Sequence, residues 1–67
     1  MRTILTRREK QIFLLLSENY KTQQIATDLN ISEKTVRNHI ANVMNKLGAN
    51  SRAYAILELV KMKEIEL

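Results

Sequence analysis

A run of polar side chains in the middle of the chain has the chemistry needed to read nucleic-acid bases. Polar or small residues recur there at helical spacing: Lys34, Asn38, Ala41, Asn42 and Asn45, with Arg37 on the flank. Lysine, arginine and asparagine hydrogen-bond to base edges, and a small alanine lets a backbone approach closely. A helix with such a stripe fits the major groove of DNA. The alternative is a surface helix that is merely polar.

The residues around this stripe predict the helix that carries it. Ser32 can accept hydrogen bonds from the first unpaired backbone N–H groups, and Glu33 faces the positive end of the helix dipole. Gly48 can take the left-handed conformation that ends a helix. Apolar residues form a second stripe on the other side: Val36, Ile40, Val43, Met44 and Leu47. We therefore predict a helix between Ser32 and Leu47 with one face in the core.

Composition and charge limit the classes of function. The 67 residues make one domain with a small core, which a partner chain would help to stabilise. The formal net charge of +4 and the sequence pI near 9.8 favour a polyanionic partner. No apolar run is long enough for a membrane span and no secretory signal is visible, so the expected location is the cytoplasm, at the nucleoid.

The polar residues do not assemble into a catalytic or metal site. The chain has no cysteine, and its single histidine, His39, has no carboxylate cluster beside it in the sequence. We expect His39 to pack at the edge of the core or to contact the DNA backbone. No nucleophile–base set or phosphate-binding glycine loop is visible, so we predict no enzyme activity, no metal and no cofactor.

Two shorter helices are predicted before the polar stripe. The sequence from Thr6 to Glu9 fits a capping box, and the helix after it runs to about Asn19 with a wide apolar face. A second helix is predicted from about Gln23 to Leu29. Asn19 and Asn30 can take the left-handed conformation after a helix, where glycine would be commoner. A short helix, a turn and a longer helix make a helix-turn-helix over residues of about 22–41.

A fourth helix is predicted from about Arg52 to Lys63, capped by Ser51. One apolar stripe, expected to face the core, consists of Ala53, Ile56, Leu57 and Val60. A second stripe, expected to form a homodimer across a two-fold axis, consists of Ala55, Leu59 and Met62, with Tyr54 and Glu58 beside it. The alternative is a helix buried more deeply in its own domain. The tail, residues 64–67, is expected to be an extension or a frayed end.

Several segments together resemble the LuxR-type helix-turn-helix of bacterial transcription regulators. They are L-T-R-R-E (5–9), I-A (25–26), L-N-I-S-E-K-T-V-R-N-H-I (29–40), K-L-G (46–48) and S-R-A (51–53). They occur in the order and spacing of that family and cover nearly the whole chain. The resemblance implies an all-α, four-helix DNA-binding domain over residues 1–67, dimeric through helix 4 at about 51–63.

The resemblance also implies a biological role and a set of partners. The expected partners are double-stranded DNA, a second copy of the chain and RNA polymerase. The ending E-I-E-L (64–67) is similar to that of a small stand-alone family member, which implies control of spore-coat or other late developmental genes. Other members carry a receiver or ligand-binding domain upstream, so an excised effector domain is the alternative, and Met1 favours the stand-alone form. A helical protein-interaction module and a sequence-blind architectural protein are further alternatives.

The chain departs from the family pattern around the start of helix 2. The family often has glycine at the position of Asn19, serine or threonine at that of Lys21, and glutamate at that of Gln24. With the usual capping residues replaced, the cap of helix 2 is expected to fall on Thr22.

Residue roles follow from matching the chain to the family. The implied base-contacting residues are Lys34, Arg37, Asn38 and Ala41. The phosphate candidates are Thr22, Thr35, Lys46 and Arg52. Arg37, on the flank of the stripe, could instead bind a phosphate. The alternative for Thr35 is a local hydrogen bond within its own helix.

Overall fold

The longest helix of the protein is in contact with the three others. The structure, a computed structural model, describes residues 4–66, and the chain there forms four helices without strands. The helices are α1 (Arg7–Ser17), α2 (Thr22–Leu29), α3 (Glu33–Leu47) and α4 (Arg52–Lys61). Helix α3 contacts α1, α2 and α4, and α1 also contacts α2. Within the described range, no helix is long and apolar enough to cross a membrane.

The core draws side chains from all four helices and from both ends of the chain. Its fully buried larger side chains are Ile12, Phe13, Ile25, Val36, Val43, Leu59 and Ile65. The predicted apolar face of α3 is confirmed, since Val36, Ile40 and Val43 are buried while Met44 and Leu47 pack against them half-buried. This buried face fixes which side of α3 points to solvent.

The helix ends confirm most of the predicted capping residues. The Thr6 hydroxyl accepts from the Glu9 N–H at 3.1 Å, and a Glu9 carboxylate oxygen accepts from the Thr6 N–H at 2.9 Å, which completes the capping box. Asn19, Asn30 and Gly48 have φ values of 71°, 57° and 63°. Asn30 and Gly48 are the C-caps of α2 and α3, and Asn19 follows Glu18, the C-cap of α1, so all three take the predicted left-handed conformation after a helix.

The predicted cap of α2 on Thr22 is wrong. Lys21 is the N-cap, and its backbone N–H donates to the Gln24 side-chain oxygen at 2.8 Å. The amide of Gln24 thus supplies the acceptor that a glutamate supplies in a capping box. Thr22 is the first residue of α2, and its hydroxyl donates to the Glu33 carboxylate instead of capping the helix.

The predicted division of α4 into a core face and a dimer face is wrong at four positions, although Ile56 and Val60 pack against the core and Tyr54 and Met62 are exposed, as predicted. Ala55 and Leu59, assigned to the dimer, have no exposed surface, so they belong to the core and cannot form a contact surface. Ala53 and Leu57, assigned to the core, are exposed. Because apolar residues occur almost all round α4, periodicity could not decide which side packs, and the small Ala55 allows the helix to approach the core closely.

The tail is docked rather than frayed. Lys63 takes a φ of 61° and turns the chain back after α4. The Glu64 carboxylate then accepts from the N–H groups of Ile4 and Leu5 at 3.3 and 3.4 Å. Ile65 enters the core with 2% of its surface exposed. The expectation of a stand-alone form drew on Met1, and the likeness of the E-I-E-L ending drew on Leu67. Both residues lie outside the described residues.

Candidate nucleic-acid interface

The side of α3 that faces away from the core is a continuous polar surface, which we call the polar face. It consists of Lys34, Asn38, Ala41, Asn42 and Asn45, all exposed. None of their side chains makes a hydrogen bond or ion pair with another described residue. The structure therefore places three of the four predicted base-contacting residues, Lys34, Asn38 and Ala41, on one exposed surface, with the polar groups of Lys34 and Asn38 available.

Arg37 borders the polar face on the side of α2. Its Nη1 donates to the Glu33 Oε2 at 2.8 Å in an i,i+4 ion pair. The same carboxylate oxygen accepts from the Thr22 hydroxyl at 2.9 Å. One acid therefore joins the first turns of α2 and α3 and holds two of the predicted DNA-contacting side chains.

Thr35 makes the local contact that was the alternative to phosphate binding. Its hydroxyl oxygen accepts from the Ser32 hydroxyl at 2.8 Å, and its backbone N–H donates to the Ser32 oxygen at 3.0 Å. Both residues lie in the capping turn of α3, so the hydroxyl of Thr35 helps to define the start of that helix.

Lys46 borders the polar face on the side of α1. Its ammonium donates to the Glu9 Oε1 at 2.6 Å and to the Ile4 carbonyl oxygen at 2.9 Å. The Glu9 side chain is 4% exposed and that of Lys46 is 37% exposed. Lys46, which was predicted to bind a phosphate, is thus paired with a buried carboxylate of its own domain.

Sequence reasoning assigned Glu9 only to the capping box and missed this ion pair. Both residues stand in segments that carry the family resemblance, since Glu9 ends L-T-R-R-E and Lys46 begins K-L-G. Nothing in the spacing of two residues so distant along the chain shows that they meet. The pair fastens the start of α1 to the end of α3.

The surroundings of Glu9 favour its charged form. Burial alone would raise the pKa of this carboxyl, but the hydrogen bond from Lys46, those with Thr6 and the positive charge of Lys46 together lower the pKa below its ordinary value. A carboxyl whose pKa is lower in the folded than in the unfolded protein stabilises the fold above the unfolded-state pKa. That contribution disappears as the pH falls through the folded-state pKa.

Glu9→Gln is therefore expected to destabilise the domain at neutral pH and to matter less in acid. The loss at pH ~7 should be about 1–2 kcal/mol, because a charge-assisted hydrogen bond becomes a neutral one and Lys46 is partly exposed. Urea unfolding followed by circular dichroism, from pH ~7 to ~3, would show the gap between variant and wild type narrowing below pH ~4.5. A gap that stays constant to the lowest pH would contradict a lowered pKa of Glu9.

The remaining predicted residues lie outside the polar face. Arg52 is exposed at the first residue of α4, and His39 is half-buried on α3. Within residues 4–66, no group of three or more histidine, cysteine, aspartate or glutamate side chains is arranged to hold a metal ion.

Comparison with known proteins shows that the chain is similar to bacterial regulators in sequence and in fold. The family model described as "Bacterial regulatory proteins, luxR family" matches residues 3–59. The spore germination protein GerE of Bacillus subtilis is 53% identical over 64 residues, which cover 96% of this chain and 86% of that protein. A solved structure of the transcription factor GerE matches with a TM-score of 0.94 and 52% identity, over 97% of each chain.

Longer regulators match over part of their length. The transcriptional regulatory protein DegU of Brevibacillus brevis is 43% identical over 58 residues, which cover 87% of this chain but 25% of that protein. The similarity to such relatives is therefore confined to a region the size of this domain.

Proposed function

The chain belongs to the luxR family of bacterial regulatory proteins and is a non-enzymatic, DNA-binding transcription regulator, and on this premise we propose that its polar face enters the major groove and reads bases. The observation that carries the proposal is the contrast between the two sides of α3. Val36 and Val43 have no exposed surface, while the opposite side presents exposed polar groups that no described side chain engages. Because α3 packs against three other helices, its polar face is held in a fixed orientation, which suits base recognition in the major groove.

Each base-contacting residue has a chemical role in this proposal. Lys34 and Arg37 donate to guanine, Asn38 pairs with adenine, and Ala41 contacts a thymine methyl group. These contacts discriminate among sequences because the major groove shows a distinct pattern for each base pair.

Phosphate contacts set the position of the domain on the duplex. We assign them to the Arg52 side chain, the Thr35 hydroxyl and the backbone N–H of Thr22, whose own hydroxyl already donates to Glu33; the three residues lie in the first turns of α4, α3 and α2. Backbone N–H groups at helix starts attract anions, so these three turns suit phosphate oxygens. Lys46 is left out of this set because Glu9 and the Ile4 carbonyl hold its ammonium.

We further propose that the regulator binds as a homodimer through the exposed side of α4. Tyr54 and Leu57 are 49% and 52% exposed, and the exposed Ala53 lies beside them. Large apolar side chains on one side of a helix support a partner helix, most simply the same helix of a second copy. Two polar faces would then meet two half-sites about one turn of DNA apart.

Leu57→Glu is expected to weaken this dimer by about thirtyfold. A half-exposed leucine can bury an area worth about 1 kcal/mol, and the two-fold axis brings two such residues together. Sedimentation velocity over a range of concentrations gives the dissociation constant. Gln11→Glu, which adds the same charge at an exposed site on α1, is the matched control. Equal dissociation constants for wild type and Leu57→Glu would remove α4 as the interface.

We propose developmental genes, including spore-coat genes, as the targets, with RNA polymerase contacted or blocked at the promoter. The support is the similarity to the spore germination protein GerE along nearly its whole length. Expression of this chain in a Bacillus subtilis strain that lacks GerE tests the proposal. Restored germination of the spores is expected, and its absence despite normal protein levels would count against these targets.

A further inference from the structure

The carboxylate of Glu33 is placed to control how Arg37 meets DNA. Its Oε2 accepts from the Arg37 Nη1 and from the Thr22 hydroxyl at 2.8 and 2.9 Å. The side chains of Arg37 and Glu33 are 56% and 39% exposed. An ion pair this open adds little to the stability of a fold. Its main effect is therefore expected on the DNA contacts of Arg37, which borders the polar face.

The ion pair changes what Arg37 offers to a duplex. A guanidinium has five N–H donors, so with Nη1 occupied the others remain open to a guanine edge. The Thr22 hydroxyl holds the carboxylate from the α2 side, which gives Glu33 an anchor independent of Arg37. A fixed negative charge beside the guanidinium offsets much of its attraction for a phosphate.

We infer that Glu33 is a specificity-determining residue that positions Arg37 for a base and withholds it from the phosphates of unrelated DNA. This inference rests on the proposed function of α3. On the preferred sequence, α3 docks closely enough for the open N–H groups of Arg37 to reach a base edge with Glu33 still paired. On unrelated DNA, phosphates are the groups within reach, and the neutralised guanidinium adds little affinity.

The other border of the polar face has the same arrangement. Lys46 is held by Glu9, as Arg37 is held by Glu33. Lys34 is the cation of the polar face that has no acidic partner among residues 4–66. Both flanks are therefore neutralised next to an open row of asparagines, which favours base reading over general attraction to the DNA backbone.

Glu33→Gln tests the inference, since it keeps an oxygen for Thr22 and removes the charge. Binding to the preferred duplex and to an unrelated duplex of equal length is measured over a series of salt concentrations. Affinity for the unrelated duplex should rise by up to about tenfold at ~0.1 M salt, with a salt slope steeper by about 0.9 per chain, because one more phosphate is neutralised. Affinity for the preferred duplex should change by less than about threefold, so the preference falls.

Two matched variants separate this role from a general effect of charge. Glu18→Gln makes the same change at an exposed residue that ends α1 and should leave the slope and the preference near those of wild type. In an Arg37→Ala background, Glu33→Gln should no longer steepen the slope.

The outcomes distinguish this inference from the proposed function. If wild type prefers a sequence but Glu33→Gln behaves like Glu18→Gln, the inference is overturned and the base-reading function stands. If wild type prefers no sequence at all, the proposed function fails and the inference fails with it.

Discussion

The double substitution Lys34→Ala, Asn38→Ala is expected to lower affinity for the preferred duplex by about 2–6 kcal/mol per half-site, since each base contact contributes about 1–3 kcal/mol of discrimination. Both side chains are exposed on the polar face and engage no other described residue, so their removal should leave the fold intact. Affinity for an unrelated duplex should fall by only about tenfold per bound chain, the effect of losing one cation near phosphates.

Fluorescence anisotropy with labelled duplexes at one stated salt concentration measures both affinities. Lys10→Ala with Gln11→Ala removes a lysine and an amide from exposed positions on α1 and is the matched control. Equal losses on the two duplexes would mean that Lys34 and Asn38 contact the DNA backbone rather than bases.

Ile65→Ala is expected to lower the free energy of unfolding by about 2–5 kcal/mol, the usual cost of an alanine that leaves a cavity at a buried isoleucine. Ile65 is 2% exposed although it lies beyond the last helix. In a domain this small, such a loss is a large share of total stability. Loss of Ile65 should also loosen Glu64 and the backbone of Ile4 and Leu5 that it holds.

Urea unfolding followed by circular dichroism measures this change. Met62→Ala, at a residue 45% exposed and three positions earlier, is the control and should cost less than about 1 kcal/mol. A similar small cost for Ile65→Ala would show that the tail leaves the core readily and is not part of the stable fold.

Local sequence signals were sufficient for the order of the four helices and for most of their ends. Thr6, Ser32 and Ser51 cap helices through their hydroxyls, and Gly48 ends α3, all by interactions within a few residues. The period of the apolar residues in α3 then determined which side becomes the polar face. The part of the site that depends on α3 alone could therefore be predicted.

Contacts between distant parts of the chain could not be predicted in the same way. The ion pair of Glu9 with Lys46 and the docking of Ile65 join residues far apart in sequence, which periodicity does not report. In α4, apolar residues on nearly every side left the buried face undetermined, and Ala55 and Leu59 were assigned wrongly. Which side of α4 is buried depends on how well its side chains fit against the other three helices, and the order of residues within α4 does not reveal that fit.

The central claim is that the polar face of α3 reads bases, and selection from random duplexes tests it most directly. Wild type and Asn38→Ala would each be bound to the same pool at one salt concentration, and the retained DNA sequenced. We expect wild type to enrich an inverted repeat with half-sites about one helical turn apart, and Asn38→Ala to lose preference at one position in each half-site. No enrichment by wild type, with binding that only fades as salt rises, would contradict the claim.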